Sequence, residues 1–152
     1  MATILTTTKM KDITFISNNI DNKYLLSFIE MAETFHVQPL MGDLYEDILI
    51  KIDDDNLTAD DIKFLDRYVY PCIAYYALYE AAPHLHFKTE NKGLVKKFSD
   101  NSDNIDSAEF KIYRQSVLDK AVMYANRLRK ILDDRDVCRP KTNNSTGFFL
   151  NF

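Results

Sequence analysis

The sequence predicts an all-α fold: four main helices in an antiparallel bundle, a short β-hairpin inserted between the last two helices, and an extended C-terminal arm. Three observations carry this expectation. Apolar residues recur at three- and four-residue spacing along most of the chain, which is the helical period. Only three Gly and four Pro occur in 152 residues, so few breaks are available. In "HFKTENKGLVKKF" the pattern changes to alternation, the period of a strand. A chain of this length suits one domain with one modest core. The expected organisation is a helical domain over 1–135, with the hairpin at about 86–99, and an arm over 136–152.

Taken in order, residues 1–8 are Thr-rich and read as extended, with a short helical turn over 9–16. "SNNID" breaks the chain, and Asp21 is placed to cap the next helix. Leu25, Phe28, Ile29, Ala32 and Phe35 then mark one helix face ending near Phe35. "HVQPLMGD" reads as a connection, with Pro39 in the first turn of the second helix. Leu44, Ile48 and Ile52 stripe that helix up to "DDDN". Thr58 and Asp61 form a variant capping box. The third helix follows through Leu65, Val69, Ile73, Tyr76 and Tyr79 and stops at "AAPH", near Ala82. Pro71 lies inside it and predicts a kink over 67–71, because proline removes one helical hydrogen bond.

Asp106 and Glu109 make a second capping box. The fourth helix carries Phe110, Tyr113, Val117, Ala121, Tyr124, Leu128 and Ile131 in one stripe to about Leu132, roughly 40 Å at 1.5 Å per residue. Between the last two helices, "HFKT" and "LVKKF" flank "ENKG", and Gly93 can supply a positive φ for a hairpin turn. A lone hairpin is marginal in water, so it must lean on its own helices or on a neighbour.

Composition narrows the function classes. Apolar residues are 46% and charged residues 28%, the balance of a soluble globular chain. The net charge of −4 argues against sequence-independent DNA binding, which needs a basic footprint. No apolar run is long enough to cross a bilayer, and the N-terminus lacks the pattern of a signal peptide. Cys72 and Cys138 have no metal-type spacing; Cys72 reads as a small buried hydrophobe. His36, His84 and His86 have no acidic or thiol partner at ligand spacing. Counted from Asp100, a calcium loop would need Gly where Ile105 stands and Glu where Lys111 stands; from Asp53, its last ligand would be Phe64. There is no nucleophile motif, phosphate loop or HExxH. The expectation is therefore no enzyme, no metal and no cofactor.

Two stretches resist a purely structural reading. Lys88, Lys92, Lys96 and Lys97 make a local basic patch. They either blunt an exposed strand edge or contact an acidic partner or nucleic acid. The acidic runs 53–61 and 100–106 offer a complement on a second copy, a heterologous contact that closes into rings or extends as filaments. The tail "GFFLNF" crowds Phe148, Phe149, Leu150 and Phe152 into five positions. It either folds back on its own core or docks as an aromatic anchor on a partner, and "RPKTNNS" before it reads as an arm with reach.

"YLLSFIEMAETFHVQPLMGDLYEDIL", "YPCIAYYALYEAAPHLHFKTENKGLVKKFSDNSD" and "AVMYANRLRKIL" together resemble a small protein of the structural modules of Bacteroidales phages, including crAss-like phages. In helical layout the chain resembles the head–tail connector (adaptor) proteins of tailed phages. The resemblance spans residues 10–135, and its signature words are "PLMGDLY" and "FKTENKGLVKKFSDNS".

The resemblance implies a structural virion protein of the neck, made in the host bacterial cytoplasm. Such adaptors form a homo-oligomeric ring of roughly twelve copies. The ring joins the portal protein to further neck or tail rings and lets DNA pass through its channel without sequence-specific binding. In that family type, chain ends and an inter-helix loop make the contacts. The matching features are Phe148, Phe149, Leu150 and Phe152 for the portal, and Phe87, Lys88, Lys92, Gly93, Leu94, Lys96 and Lys97 for a neighbouring subunit. The alternative is a small nucleic-acid-binding regulator using the hairpin lysines.

Overall fold

The fold of the computed structural model is set by where helices start and where prolines interrupt them. The structure describes residues 2–91 and 107–137, with side chains over 2–85 and 108–135. Helix α1 (Thr7–Thr14) begins where the Thr6 side chain accepts from the Lys9 N–H at 3.2 Å. Helix α2 (22–41) begins at Asp21, whose carboxylate accepts from the Lys23 N–H at 2.9 Å. Helix α3 is Asp43–Asp53. Helix α4 (59–91) begins with a complete capping box: the Thr58 hydroxyl accepts from the Asp61 N–H, and the Asp61 carboxylate accepts from the Thr58 N–H. Helix α5 is Ser107–Val137, about 46 Å long at 1.5 Å per residue.

Two of these helices contain a π-helical turn. In α2 the turn is Glu33–Val37, between Asn22–Ala32 and Gln38–Met41; in α4 it is Leu65–Val69, between Ala59–Phe64 and Tyr70–Asn91. Each turn ends two residues before a proline, Pro39 or Pro71. In α register the carbonyls of Phe35 and Arg67 would look to those proline nitrogens, which have no hydrogen. Just before each proline the bonding is π-type: the Gln38 N–H donates to the Glu33 carbonyl and the Tyr70 N–H to the Leu65 carbonyl. Pro71 thus sits at a change of helical register.

Pro39 belongs to the end of α2, so the expected connection over "HVQPLMGD" shrinks to Gly42. That residue has φ +56° and ψ −132°, a conformation that disfavours any Cβ. The end of α3 is a Schellman motif: Asp55 has φ +51°, the Asn56 N–H donates to the Lys51 carbonyl at 2.8 Å, and the Asp55 N–H donates to Ile52.

The expected β-hairpin and the count of four helices are corrected. Among the described residues there are five helices and no strand. Residues 86–91, read as the first arm of the hairpin, continue α4, so Phe87 and Lys88 are helical. Pro83 does not end the helix. It denies a donor to the Tyr79 carbonyl four residues earlier, and the Arg114 Nε–H from α5 donates to that carbonyl at 3.3 Å. A neighbouring helix has filled the gap, so the chain keeps its helical path. Positions 92–99 lie outside the described residues.

Helix α4 is the central element and packs against α1, α2 and α5. Its buried line is Leu65, Val69, Cys72, Ile73, Tyr76 and Ala77. Helix α5 runs antiparallel to it: Arg114 meets Tyr79, and Arg135 lies 4.1 Å over the Phe64 ring. Val117, Ala121, Ala125 and Leu128 form the buried side of α5.

Candidate functional site

Glu33 is the buried charged residue of the core, 1% exposed, at the first position of the α2 π turn. Its carboxylate accepts three hydrogen bonds: from the Leu5 N–H at 2.9 Å, the Ile4 N–H at 3.1 Å and the Tyr45 hydroxyl at 2.8 Å. Two consecutive backbone donors and one side chain are thereby satisfied at one point. The N-terminal segment is clasped, and Ile4 and Leu5 are buried with it. Burial pushes the Glu33 carboxyl above its ordinary value, against the pull of the three donors. Tyr45 is likewise pushed up, by burial and by the acceptor that holds its proton.

The π turn explains why Glu33 faces inward. The buried positions before it are Leu25, Ile29 and Ala32; after it they are Val37 and Met41. One inserted residue rotates the helix, so Phe35, expected in the core, is 63% exposed. This side of α2 exposes Met31 and Phe35, while Phe28 is partly buried against the core. Helix α4 borders it: His84 sits 5.2 Å from the Phe28 ring, and the His36 Nε2 is 3.1 Å from the Glu80 carboxylate, with the His36 ring stacked on Tyr76 at 4.1 Å.

The α4–α5 seam is a ladder of rings and cations. From one end to the other it runs Arg135 on Phe64, Arg127 between Tyr68 and Tyr124, Lys120 on Tyr75, and Arg114 on Tyr79, with Tyr75 and Tyr124 stacked at 5.6 Å. Such contacts fix the pairing of two helices.

Charge on the surface is uneven. Between 43 and 66 stand nine carboxylates against two lysines, and exposed Ile50 and Ile62 lie among them. Asp61 is held below its ordinary value by the Lys51 ammonium at 2.9 Å. Over 108–135, α5 carries seven Lys and Arg against four carboxylates. Its outward side presents Ile112, 71% exposed, with Val122 and Met123.

Of the residues singled out by sequence, Phe87 and Lys88 lie in α4. Lys92, Gly93, Leu94, Lys96, Lys97, Phe148, Phe149, Leu150 and Phe152 lie outside the described residues, as does Cys138. Cys72 is fully buried and its thiol is pushed up to about 12 by that burial. Among the described residues, no group of three or more His, Cys, Asp and Glu is arranged to hold a metal, and no helix is long and apolar enough to cross a membrane. Sequence reading missed Glu33, because a glutamate beside an apolar stripe reads as solvated. The available signal was Pro39, six residues later, which denies its helix a donor and marks a place where the register can change.

The described residues thus define an all-α protein with a clasped N-terminal segment, an acidic stretch over 43–66 and a cation-rich α5. Residues 37–147 match DUF6712, a family of unknown function, and the chain belongs to that family. No curated protein and no solved structure matches it.

Proposed function

We propose that the protein is a structural component of a tailed-phage neck, a head–tail connector subunit that assembles into a ring against the portal. One observation carries the reading: a single subunit presents two unlike surfaces, each with exposed apolar side chains. The acidic stretch over 43–66 carries exposed Ile50 and Ile62; helix α5, with more cations than carboxylates, carries exposed Ile112, Val122 and Met123. Unlike surfaces on one subunit suit heterologous contacts, which propagate around a ring. Exposed apolar residues of this number suit a protein that works covered by neighbours. The sequence resemblance to phage adaptors points the same way.

The test is to combine the purified protein with the portal protein encoded in the same genome and image the mixture by electron microscopy. A ring stacked coaxially on the portal is expected. Failure to bind the portal, together with absence from purified particles by mass spectrometry, would overturn the reading. Salt-sensitive DNA binding by the isolated protein, lost on Lys96→Glu and Lys97→Glu, would favour the regulator.

A further inference from the structure

Helix α3 turns one charged face outward. Asp43, Glu46, Asp47, Asp53 and the next residue, Asp54, are all exposed, and Ile50 at their centre is 57% exposed. Their steps from Ile50 are −7, −4, −3, +3 and +4, which places them on one side of a helix. Helix α5 has the inverse arrangement. Met123 is 49% exposed, with exposed Lys120, Arg127 and Lys130 at −3, +4 and +7. Between 120 and 132 this helix carries four cations and no carboxylate. A shallow depression here is lined by Asp119, Val122, Met123, Asn126, Arg127 and Lys130. Lys120 and Arg127 rest over tyrosine rings of the α4–α5 seam. Among the described residues, none of these five carboxylates and three cations stands in an ion pair.

We propose that the outward face of α3 in one copy docks antiparallel on the 120–130 face of α5 in a second copy, with Ile50 seated beside Met123. Charge complementarity and register select this occupant. In antiparallel order, equal steps of opposite sign meet: Lys120 faces Asp53, Arg127 faces Glu46, and Lys130 faces Asp43. Asn126, at +3, brings an amide to Asp47. Parallel order keeps only two of the three charge pairs, because Lys130 would face Leu57. One contact is adverse: Asp119 faces Asp54, although the Asp119 carboxylate is held by the Gln115 amide at 2.8 Å. Both helices rise 1.5 Å per residue, so the pairs stay in step along α3. Opposite charges so placed fix partner and orientation between helices.

Both faces stand exposed in one subunit, so they do not satisfy each other within it. Segment 138–152 brings two cations, Arg139 and Lys141, and no carboxylate side chain for the α5 face. Segment 92–106 mixes three lysines with three aspartates. Neither matches both faces, whereas each face matches the other step for step. The contact is heterologous: every copy gives α3 and receives on α5, so it passes on to further copies. The inference rests on the connector reading only in taking this as the contact between ring neighbours.

The test uses full-length chains carrying Cys138→Ser, in which the remaining Cys72 is buried. A chain with Ile50→Cys is mixed with a chain with Met123→Cys under mild oxidation, both free and on the portal. A disulfide between them should form at least about tenfold faster than one between Ile50→Cys and Ile112→Cys, an exposed position on the same side of α5. Raising salt from about 50 to about 500 mM should slow it several-fold. Lys130→Glu in the Met123→Cys chain should slow it too, and Asp43→Lys in the Ile50→Cys chain should then restore it. Both positions are exposed and outside the ring ladder, and thermal melting checks that each variant folds.

Equal rates for the Met123→Cys and Ile112→Cys partners overturn the inference. So does a loss on Lys130→Glu that Asp43→Lys fails to restore. A cross-link indifferent to Lys130→Glu overturns it as well; its loss on Lys96→Glu with Lys97→Glu instead would assign the acidic face to segment 92–106, and its loss on Arg139→Glu with Lys141→Glu to segment 138–152. If the selective cross-link fails while the chain still joins the portal, this inference falls and the connector reading stands. If the cross-link forms with the expected selectivity but no chain joins the portal, the self-contact stands and the connector reading falls.

Discussion

The two π turns are the same backbone device with different contents. Each spans five residues, each is followed by one residue and then a proline, and each buries its first and last positions. Val37 and Val69 correspond. At the first position, however, α2 has Glu33 and α4 has Leu65. Leu65 faces only apolar core, so leucine satisfies its site by area alone. Glu33 faces two backbone donors and a hydroxyl that arrive from distant parts of the chain. The comparison teaches that the register change creates an inward-facing position, and that the partners waiting there decide whether it is apolar or charged.

Breaking the comparison from the α4 side should have the largest effect. Leu65→Glu places a carboxylate where nothing donates to it, at a cost of about 4–5 kcal/mol. Urea unfolding should show a protein unfolded or nearly so at neutral pH; a stability within 1 kcal/mol of the natural sequence would mean that donors exist there as well. The converse, Glu33→Leu, orphans the Ile4 and Leu5 N–H groups and the Tyr45 hydroxyl, at about 3–4 kcal/mol. Hydrogen exchange should locate the loss at residues 4–10 while α4 and α5 stay protected.

Glu33→Gln sharpens the comparison further. It keeps the shape and removes the charge, with an expected cost at neutral pH of about 1–2 kcal/mol. Its signature is in pH. The folded state raises the Glu33 pKa above its ordinary 4.5, so the folded protein holds that proton more tightly than the unfolded chain. The associated stability is fully present below 4.5 and is lost as pH rises through the raised value. Across that window the urea midpoint of the natural protein should fall relative to Glu33→Gln; parallel curves would show that the carboxyl does not titrate there.

The smallest effect concerns the proline managed without a π turn. Arg114→Met removes the donor that serves the Tyr79 carbonyl above Pro83, along with the cation over the Tyr79 ring. A loss of about 1–2 kcal/mol is expected, with exchange near 79–83 quickened. An unchanged melting point would show that water serves the carbonyl equally well.

Several features were legible residue by residue. Asp21 and the Thr58–Asp61 box start helices as their side-chain chemistry demands. The stripes Leu65, Val69, Ile73, Tyr76 and Val117, Ala121, Leu128 are buried as their spacing indicates. Phe35 was misread because its phase was counted through a register change. Residues 86–91 were misread because alternation in so short a stretch does not outweigh a helix already running into it and braced by α5.

The sequence by itself determined where the helices capped by Asp21 and Thr58 begin, which faces of α4 and α5 are apolar, and that Pro71 must be accommodated inside a helix, because caps, periodicity and ring closure act within a few residues. Only the tertiary structure decided how each proline is accommodated, that a glutamate is buried, and that helix α4 continues past Pro83. Those outcomes depend on donors brought from elsewhere, Ile4 and Leu5, Tyr45 and Arg114, and no local pattern reports which distant group will stand opposite.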